Sequence, residues 1–343
     1  MEKNPTKRIE YIDALRGFSM FLVVYAHIWT FGYHADGKNS FVHILVNFYL
    51  VLFFFVSGFV AFKKDQEWSL RNIGHKLKEK AIQLLIPSIV FTTLLYQTVY
   101  HNIAGVQHIA LAEYWFTVQL FIFFLFYYFT MFFCKKMSGT KLNVAILSVA
   151  FLIFMLSYSH VAIEKTEIGT NLFHYLGMRN WRYYLFFCIG VAIRNSLHQF
   201  KNLTDNPYWM ALLIIGFFFM IFFAEDIDFP MWKPINMIVY GILSIIVIFT
   251  FFRKYENSFK KETRLGYAMQ YIGKRTLDVY MIHYFLLPMN LHLLGRYFVE
   301  YSNPTLEFIL TTLIALLVIL VTLIIGNIIR LSPILSHYLL GTK

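Results

Sequence analysis

The stretch Tyr11-Ile-Asp-Ala-Leu-Arg-Gly-Phe-Ser-Met-Phe-Leu-Val-Val-Tyr-Ala-His27 carries an acid, a base and an imidazole inside a segment that otherwise has the composition of a membrane span. Insertion scales disfavour a charged side chain at the centre of an inserted helix by roughly 2.5 to 3.5 kcal/mol. An α-helix turns about 100° per residue, so the steps from Arg16 to His27 make three turns plus about 20° and rise about 16 Å. The two side chains therefore share one helix face, and the protein must compensate their cost or use them.

The composition is that of a polytopic membrane protein. The 343 residues are 58% hydrophobic, 14% charged and 20% aromatic, with a mean hydropathy of +0.58. Aromatic residues at this level suit lipid-facing surfaces and interfacial belts. The apolar runs are continuous rather than alternating, which predicts helices and not a barrel. We therefore expect an all-α membrane helix bundle that forms one domain over residues 1–343, with no separate soluble domain.

Ten apolar segments are long enough, or nearly so, to cross a bilayer. The sixth is the shortest and the ninth carries the most polar residues. Their predicted limits are 9–31, 41–62, 81–101, 113–134, 142–160, 181–195, 208–224, 235–252, 270–292 and 306–329.

The basic residues alternate between the two sides of this arrangement. Of the 30 Lys and Arg residues, 23 fall at the termini and in alternate loops on one side, six fall on the other, and Arg16 lies within the first segment. The positive-inside rule then predicts that both termini are cytoplasmic, which requires an even number of spans. Orientation of the helices explains most of the net charge of +11, and the sequence predicts no nucleic-acid partner.

The cysteines and the N-terminus add two expectations. Cys134 and Cys188 lie in or beside apolar runs, so they predict neither a disulfide framework nor a metal site. The first residues resemble the charged region of a signal peptide. However, Asp13 and Arg16 interrupt the apolar run that follows, and no small-residue cleavage site is visible. We expect the first segment to be a retained span.

Four further stretches continue the pattern begun by Arg16 and His27. In chain order they are Phe53-Phe-Phe-Val-Ser57-Gly58-Phe59, Leu84-Leu-Ile-Pro87, Tyr114-Trp115-Phe116 and Ile272-Gly273-Lys-Arg-Thr-Leu-Asp-Val-Tyr280-Met-Ile-His283. With the pattern of Arg, ten residues and His in the first segment, they resemble the acyltransferase-3 family. These are integral membrane enzymes that move acyl groups, often acetyl, onto glycans and other envelope molecules. The resemblance runs from residue 11 to residue 283, most of the chain.

The chain departs from the family pattern at one position. The family usually carries an Arg-x-x-Arg type motif just before the proline, where this chain has Lys80-Ala-Ile-Gln83. The second position has lost its charge, which leaves the role of Gln83 open. The fused esterase-like domains of some relatives are not seen in this sequence.

The resemblance implies catalytic roles in the first segment. His27 is expected to act as the general base, because an imidazole can take a proton from an acceptor hydroxyl near neutral pH. A purely structural histidine is the alternative. The Arg16 guanidinium suits the phosphates or the thioester region of an acyl-CoA, whereas snorkelling to the interface is its structural alternative. Asp13 lies on the same face as Arg16 and is expected to orient it.

Further residues are expected to bind the donor or to line the site. Ser57 and Gly58 are expected to line an acyl tunnel, or else simply to permit close helix packing. Trp115, Tyr280 and His283 are expected to line the site. The cations that orient the loop after the second segment also stand where acyl-CoA phosphates would arrive. These are Arg71, Lys76, Lys78 and Lys80.

The sequence thus predicts a membrane-bound O-acyltransferase. It would take acyl-CoA, with acetyl-CoA the expected co-substrate, and modify a glycan or lipid-linked saccharide without a metal. The expected location is the bacterial cytoplasmic membrane, as a multi-pass protein in contact with membrane lipids. A transporter or flippase of a lipid-linked saccharide is the alternative, with Arg16 and His27 as substrate or gating contacts. A sensor that has kept the fold and lost the chemistry is a third possibility.

Overall fold

The computed structural model describes residues 8–33, 48–64, 66–101, 106, 109, 112–164, 175–223, 232–287, 291–301 and 303–342. These ranges are helical and contain no strand. The α-helices are α1 (Glu10–His27), α2 (Tyr49–Ala61), α3 (Leu70–Thr98), α4 (Trp115–Phe133), α5 (Gly139–Glu164), α6 (Tyr184–Asn195), α7 (Leu197–Asp205), α8 (Pro207–Phe223), α9 (Trp232–Lys254), α10 (Arg264–Lys274), α11 (Thr276–Ile282), α12 (Leu291–Tyr301), α13 (Pro304–Ile329) and α14 (Pro333–Leu340).

Shorter helical pieces extend or connect these helices. A π-helix, Ile28–Gly32, continues α1, and 3₁₀ helices cover Met178–Tyr183, Glu256–Phe259 and His283–Leu286. Helix α3 begins at Leu70 because the Ser69 hydroxyl accepts a hydrogen bond from the Asn72 amide at 3.3 Å, as an N-cap residue does. The prediction of an all-helical bundle is confirmed.

Six helices in the described ranges are long and apolar enough to cross a membrane. Helices α7 and α8 meet at an angle of 86° and would make a seventh span if they count as one. The six are Glu10–Gly32, Leu70–Thr98, Trp115–Phe133, Gly139–Ser159, Trp232–Lys254 and Pro304–Ile329. The structure therefore supports a multi-pass bundle with fewer clear spans than the ten predicted segments.

The remaining predicted segments differ from simple spans. Of the segment predicted at 41–62, residues 41–47 lie outside the described ranges, and α2 itself has 13 residues. The segment predicted at 270–292 is broken, because Arg275 adopts φ −122° and ψ 27° between α10 and α11. A 3₁₀ helix follows from His283, and residues 288–290 are outside the described ranges. The stretch predicted as the ninth segment is therefore not one continuous helix in the described residues.

Helix α1 is the central element of the bundle. It contacts α2, α9, α10, α11 and α13, and most of its residues are buried, including Asp13, Ser19 and His27. A helix covered on all sides by protein can carry polar groups through the membrane interior, because neighbouring helices supply their hydrogen bonds. This arrangement explains how the first segment accommodates its ionisable residues.

Two pairs of glycines bring helices into backbone contact. Where α1 meets α10, a Cβ added to Gly17 would overlap the Met269 carbonyl, and one added to Gly273 would overlap the Asp13 carbonyl. Small residues permit this close approach between membrane helices. The contact leaves no room for a side chain at position 17, directly after Arg16. It also holds α1 beside the break at Arg275.

The second glycine pair joins α2 to α6. A Cβ on Gly58 would overlap the Phe187 carbonyl, and one on Gly190 would overlap the Phe55 carbonyl. The two contacts are reciprocal, since each glycine lies directly against the backbone of the facing helix. Gly58 therefore serves helix packing, the alternative that its sequence context left open.

Replacement of Gly190 by Ala is expected to lower the free energy of unfolding by about 1 to 3 kcal/mol, the usual cost of overpacking, because the new methyl group would overlap the Phe55 carbonyl. The thermal unfolding midpoint of the purified protein in detergent measures this loss. Gly74→Ala is the matched control, since a Cβ there meets no atom within 4 Å. That control is expected to gain up to about 1 kcal/mol from helix propensity. Equal midpoints for the two variants would contradict the proposed packing.

Candidate active site

A cavity of about 790 Å³ runs beside α1 from Arg16 to His27, and is called here the central cavity. Its wall changes character along this direction. Cations cluster at the Arg16 end, where they come from the N-terminal residues, from α3 and its preceding loop, and from the residues around α10 and α13. They are Arg8, Arg16, Lys63, Lys76, Lys80, Lys274 and Arg330. At the level of His27 the wall is formed by Tyr49, Trp115 and Tyr280.

The stretch between these two ends is mostly apolar. Met20 and Val23 of α1 face Phe53 and Val56 of α2, and Leu120 of α4 adds to the same wall. The hydroxyl of Ser57 donates to the Phe53 carbonyl at 2.9 Å, so this polar group is already partly satisfied within its own helix. The result is an apolar passage between a cationic entrance and an imidazole.

Most of the predicted site residues line the central cavity. They are Arg16, His27, Ser57, Lys76, Lys80, Trp115 and Tyr280. Asp13, Gly58 and His283 lie behind the wall, and Asp13 and His283 each contact a residue that lines it. Arg71 and Lys78 are exposed on α3 and do not line the cavity. The structure thus separates two of the four predicted donor-binding cations from the other two.

His27 makes a direct hydrogen bond to His283. The Nδ1 atom of His27 lies 2.7 Å from the Nε2 atom of His283, although 256 residues separate them in the chain. The Nδ1 atom of His283 lies 3.0 Å from the Val279 carbonyl and 2.9 Å from the Tyr280 carbonyl. His283 is 0% exposed and His27 is 9% exposed. The two imidazoles therefore form one buried unit, of which only His27 faces the cavity.

Tyrosines surround this histidine pair. The Tyr284 hydroxyl lies 3.4 Å from Nε2 of His27, and its ring stacks on the His27 ring at 4.9 Å. The hydroxyls of Tyr280 and Tyr284 both donate to the Glu113 carbonyl, at 3.0 and 3.1 Å. Sequence reasoning missed Tyr284, although it directly follows His283. Its position depends on the 3₁₀ helix that begins there, which no local sequence signal announced.

Arg16 contacts one residue of the broken segment and one residue of its own helix. Its Nη2 atom donates to the Thr276 hydroxyl at 3.2 Å, while its Nη1 atom lies 3.9 Å from the Asp13 carboxylate. The closer partner of Asp13 is Arg8, whose Nε donates at 2.5 Å. Asp13 therefore lies between two guanidinium groups, and Arg8 was missing from the sequence-based prediction.

A second ion pair stands at the same end of the cavity. Arg330 donates to both oxygens of Asp278, at 2.8 and 2.7 Å. Asp278 is 0% exposed, whereas Arg330, just beyond the end of α13, is 27% exposed. These hydrogen bonds raise the pKa of the Arg330 guanidinium above its ordinary value. Both residues line the central cavity, so the positive charge of Arg330 at its cationic end is balanced by the carboxylate of Asp278.

The position that departs from the family pattern also faces the central cavity. The Lys80 ammonium donates to the Gln83 side-chain oxygen at 3.2 Å and lies 4.6 Å from the centre of the Phe124 ring. Gln83 thus holds Lys80 in place rather than adding a second positive charge. Within the part of the chain that the structure describes, no three His, Cys, Asp or Glu side chains cluster as a metal site would require.

Comparison with known proteins assigns the chain to a family. The family model of an acyltransferase domain matches residues 9–326, nearly the whole chain. No curated protein and no solved structure matches the chain significantly. The match includes α1 with Arg16 and His27, most of the residues that line the central cavity, and the broken segment that carries His283. The chain belongs to the acyltransferase-3 family of membrane acyltransferases.

Proposed function

We propose that this protein transfers an acyl group, with acetyl the first candidate, from cytoplasmic acyl-CoA to a hydroxyl of a cell-envelope glycan or lipid-linked saccharide. The observation that supports it best is the central cavity itself, which connects a cluster of cations to His27 through an apolar passage. The phosphates of CoA need cations, its pantetheine arm and acyl group need a narrow passage, and the acceptor hydroxyl that attacks the thioester needs a base at the far end.

Different cations would bind different parts of the acyl-CoA donor. Lys76, Lys80 and Arg16 line the central cavity and would bind the phosphates through charge-assisted hydrogen bonds. Arg16 would approach the thioester region, because Thr276 and Asp13 hold its guanidinium at the wall of the central cavity, on the helix that carries His27. Asp13, with Arg8 on its other side, would orient this guanidinium rather than react.

His27 would carry the chemical step. Its Nε2 lone pair takes the proton of the acceptor hydroxyl while the hydroxyl oxygen attacks the thioester carbonyl carbon. The bond between that carbon and the CoA sulfur then breaks, and the departing thiolate takes the proton back from His27. The products are the O-acyl ester and CoA with a free thiol. Base catalysis of this kind contributes about 10² to 10⁴-fold to a rate.

The proposal includes a membrane topology. We place both termini and the cationic end of the central cavity in the cytoplasm, in a bundle of about ten spans in the bacterial cytoplasmic membrane. The asymmetric distribution of Lys and Arg supports this orientation, since Lys63, Lys76 and Lys80 belong to the crowded side and line the cavity. His27 then lies toward the outer half of the membrane, where Trp115 and Tyr49 would meet the acceptor.

A transporter or flippase of lipid-linked saccharides is the second candidate, and the break at Arg275 favours it. Interrupted helices line the substrate sites of many transporters, and α10 and α11 meet beside Arg16. Release of CoA thiol by the purified protein with an added glycan acceptor separates the two functions. Movement of unmodified glycan without thiol release would favour the transporter, and neither activity would favour a sensor.

Replacement of His27 by Ala is expected to reduce kcat for acyl transfer by about 10²-fold or more, because the base is lost. Thiol release from acyl-CoA by the purified protein with a glycan acceptor measures the rate. Ser19→Ala is the control on the same helix, since the Ser19 hydroxyl donates to the Leu15 carbonyl within α1 and Ser19 is not among the described residues that line the cavity. It is expected to keep kcat. Undiminished turnover in a folded His27→Ala protein would falsify the assignment of the base.

Two lysines of α3 provide a matched test of the donor site. Lys80 lines the central cavity, whereas Lys78 is exposed on another face of the same helix. Lys80→Ala is expected to raise KM for acyl-CoA about tenfold, as loss of a charge-assisted hydrogen bond costs about 1.5 to 3 kcal/mol. Lys78→Ala removes the same charge and is expected to leave KM unchanged. An equal rise in both variants would mean that only the general field of the cytoplasmic face matters.

A further inference from the structure

We infer that His283 is a positioning residue that fixes the proton of His27 on Nδ1 and leaves Nε2 as the lone pair that faces substrate. This inference rests on the proposed role of His27 as base, and it adds how that base is held in its reactive tautomer. Three hydrogen bonds of the histidine pair determine where the protons lie, because a carbonyl oxygen can only accept.

The protons of the pair follow from the carbonyls behind His283. Its Nδ1 atom lies within 3.0 Å of two backbone carbonyls, those of Val279 and Tyr280. Since carbonyls only accept, Nδ1 of His283 must carry a proton. In the neutral ring Nε2 is then a bare acceptor, and the atom 2.7 Å away, Nδ1 of His27, must be the donor. The tautomer of His27 is therefore set by the end of α11.

The surroundings favour a neutral pair in the resting enzyme. Both imidazoles are buried and lie against the rings of Tyr280 and Tyr284. In the described ranges neither ring makes an ion pair with a carboxylate, and Asp278, at the cationic end of the central cavity, is paired with Arg330. An imidazolium here would be a buried charge without a counter-charge, which proteins avoid. With both rings neutral, the proton positions derived above are the consistent arrangement.

Nε2 of His27 remains available for chemistry. Among the described residues its hydrogen-bonding neighbour is the Tyr284 hydroxyl at 3.4 Å, but that hydroxyl donates its proton to the Glu113 carbonyl at 3.1 Å. The lone pair of Nε2 is therefore not occupied by a short hydrogen bond. His27 lines the central cavity and His283 does not, so of the two imidazoles an acceptor hydroxyl can reach only that of His27, whose Nδ1 is already bonded to His283.

The hydrogen bond between Nδ1 of His27 and Nε2 of His283 would assist the reaction. When Nε2 takes the acceptor proton, His27 becomes an imidazolium whose Nδ1–H still points at His283. The hydrogen bond becomes charge-assisted and therefore stronger. A carboxylate does this work for the histidine of a Ser-His-Asp triad, whereas here a neutral imidazole backed by two carbonyls would do it. His283 would thus orient the His27 ring as well as fix its tautomer.

Two variants of His283 test the inference by activity. His283→Leu removes the acceptor and is expected to lower kcat by about 10²-fold or more, with KM for acyl-CoA unchanged. His283→Gln places a side-chain oxygen near the position of Nε2 and is expected to recover most of that loss. A merely structural role would not distinguish the two. If both folded variants are equally slow, or if the Leu variant keeps the rate of the unmodified protein, the inference is overturned.

A direct measurement of the proton makes the test independent of activity. In protein labelled with ¹⁵N-histidine, the His27 signals are assigned by their loss in His27→Gln, and the N–H coupling reports which nitrogen is protonated. We expect the proton on Nδ1 in the unmodified protein and in His283→Gln. A proton on Nε2 in the unmodified protein would overturn the inference. An unmodified protein that consumes no acyl-CoA would instead refute the proposed function, whichever tautomer is found.

Discussion

The burial of ionisable groups on α1 is the constraint on which the rest of this structure depends. Lipid offers no hydrogen bonds, so each polar group that crosses the membrane must find a protein partner. Arg16 donates a hydrogen bond to Thr276, and His27 is hydrogen-bonded to His283. Both partners belong to the same broken segment, which α1 contacts through a pair of glycines. The break therefore follows from the same requirement, since it supplies polar partners at two depths along one helix.

Sequence reasoning predicted the elements that are local in the chain. The shared face of Arg16 and His27 follows from helical geometry alone, and both residues line the central cavity. The all-helical class and the family follow from composition and from motif order, and the family match confirms the latter. These predictions succeed because the period of a helix and the thickness of a bilayer leave few alternatives.

The predictions that failed concern contacts between distant parts of the chain. No proline stands near the break at Arg275, and Gly273, two residues before it, packs against α1. Arg8 precedes the first helix, so helical periodicity could not identify it as the closer partner of Asp13. The alternation of exposed and buried faces on α3 separates Lys78 from Lys80, but a count of cations treats them alike. Long-range packing decides each of these cases.

The glycine contacts have a consequence for how such a protein can change over time. At Gly17 and Gly273, and again at Gly58 and Gly190, one backbone touches another. The frame of the bundle therefore does not depend on which side chains fill the passage. Residues such as Phe53 and Val56 can be exchanged for larger or smaller ones while the distance between the cations and His27 is preserved. A fold built in this way can acquire a new acyl donor by substitutions in the wall alone.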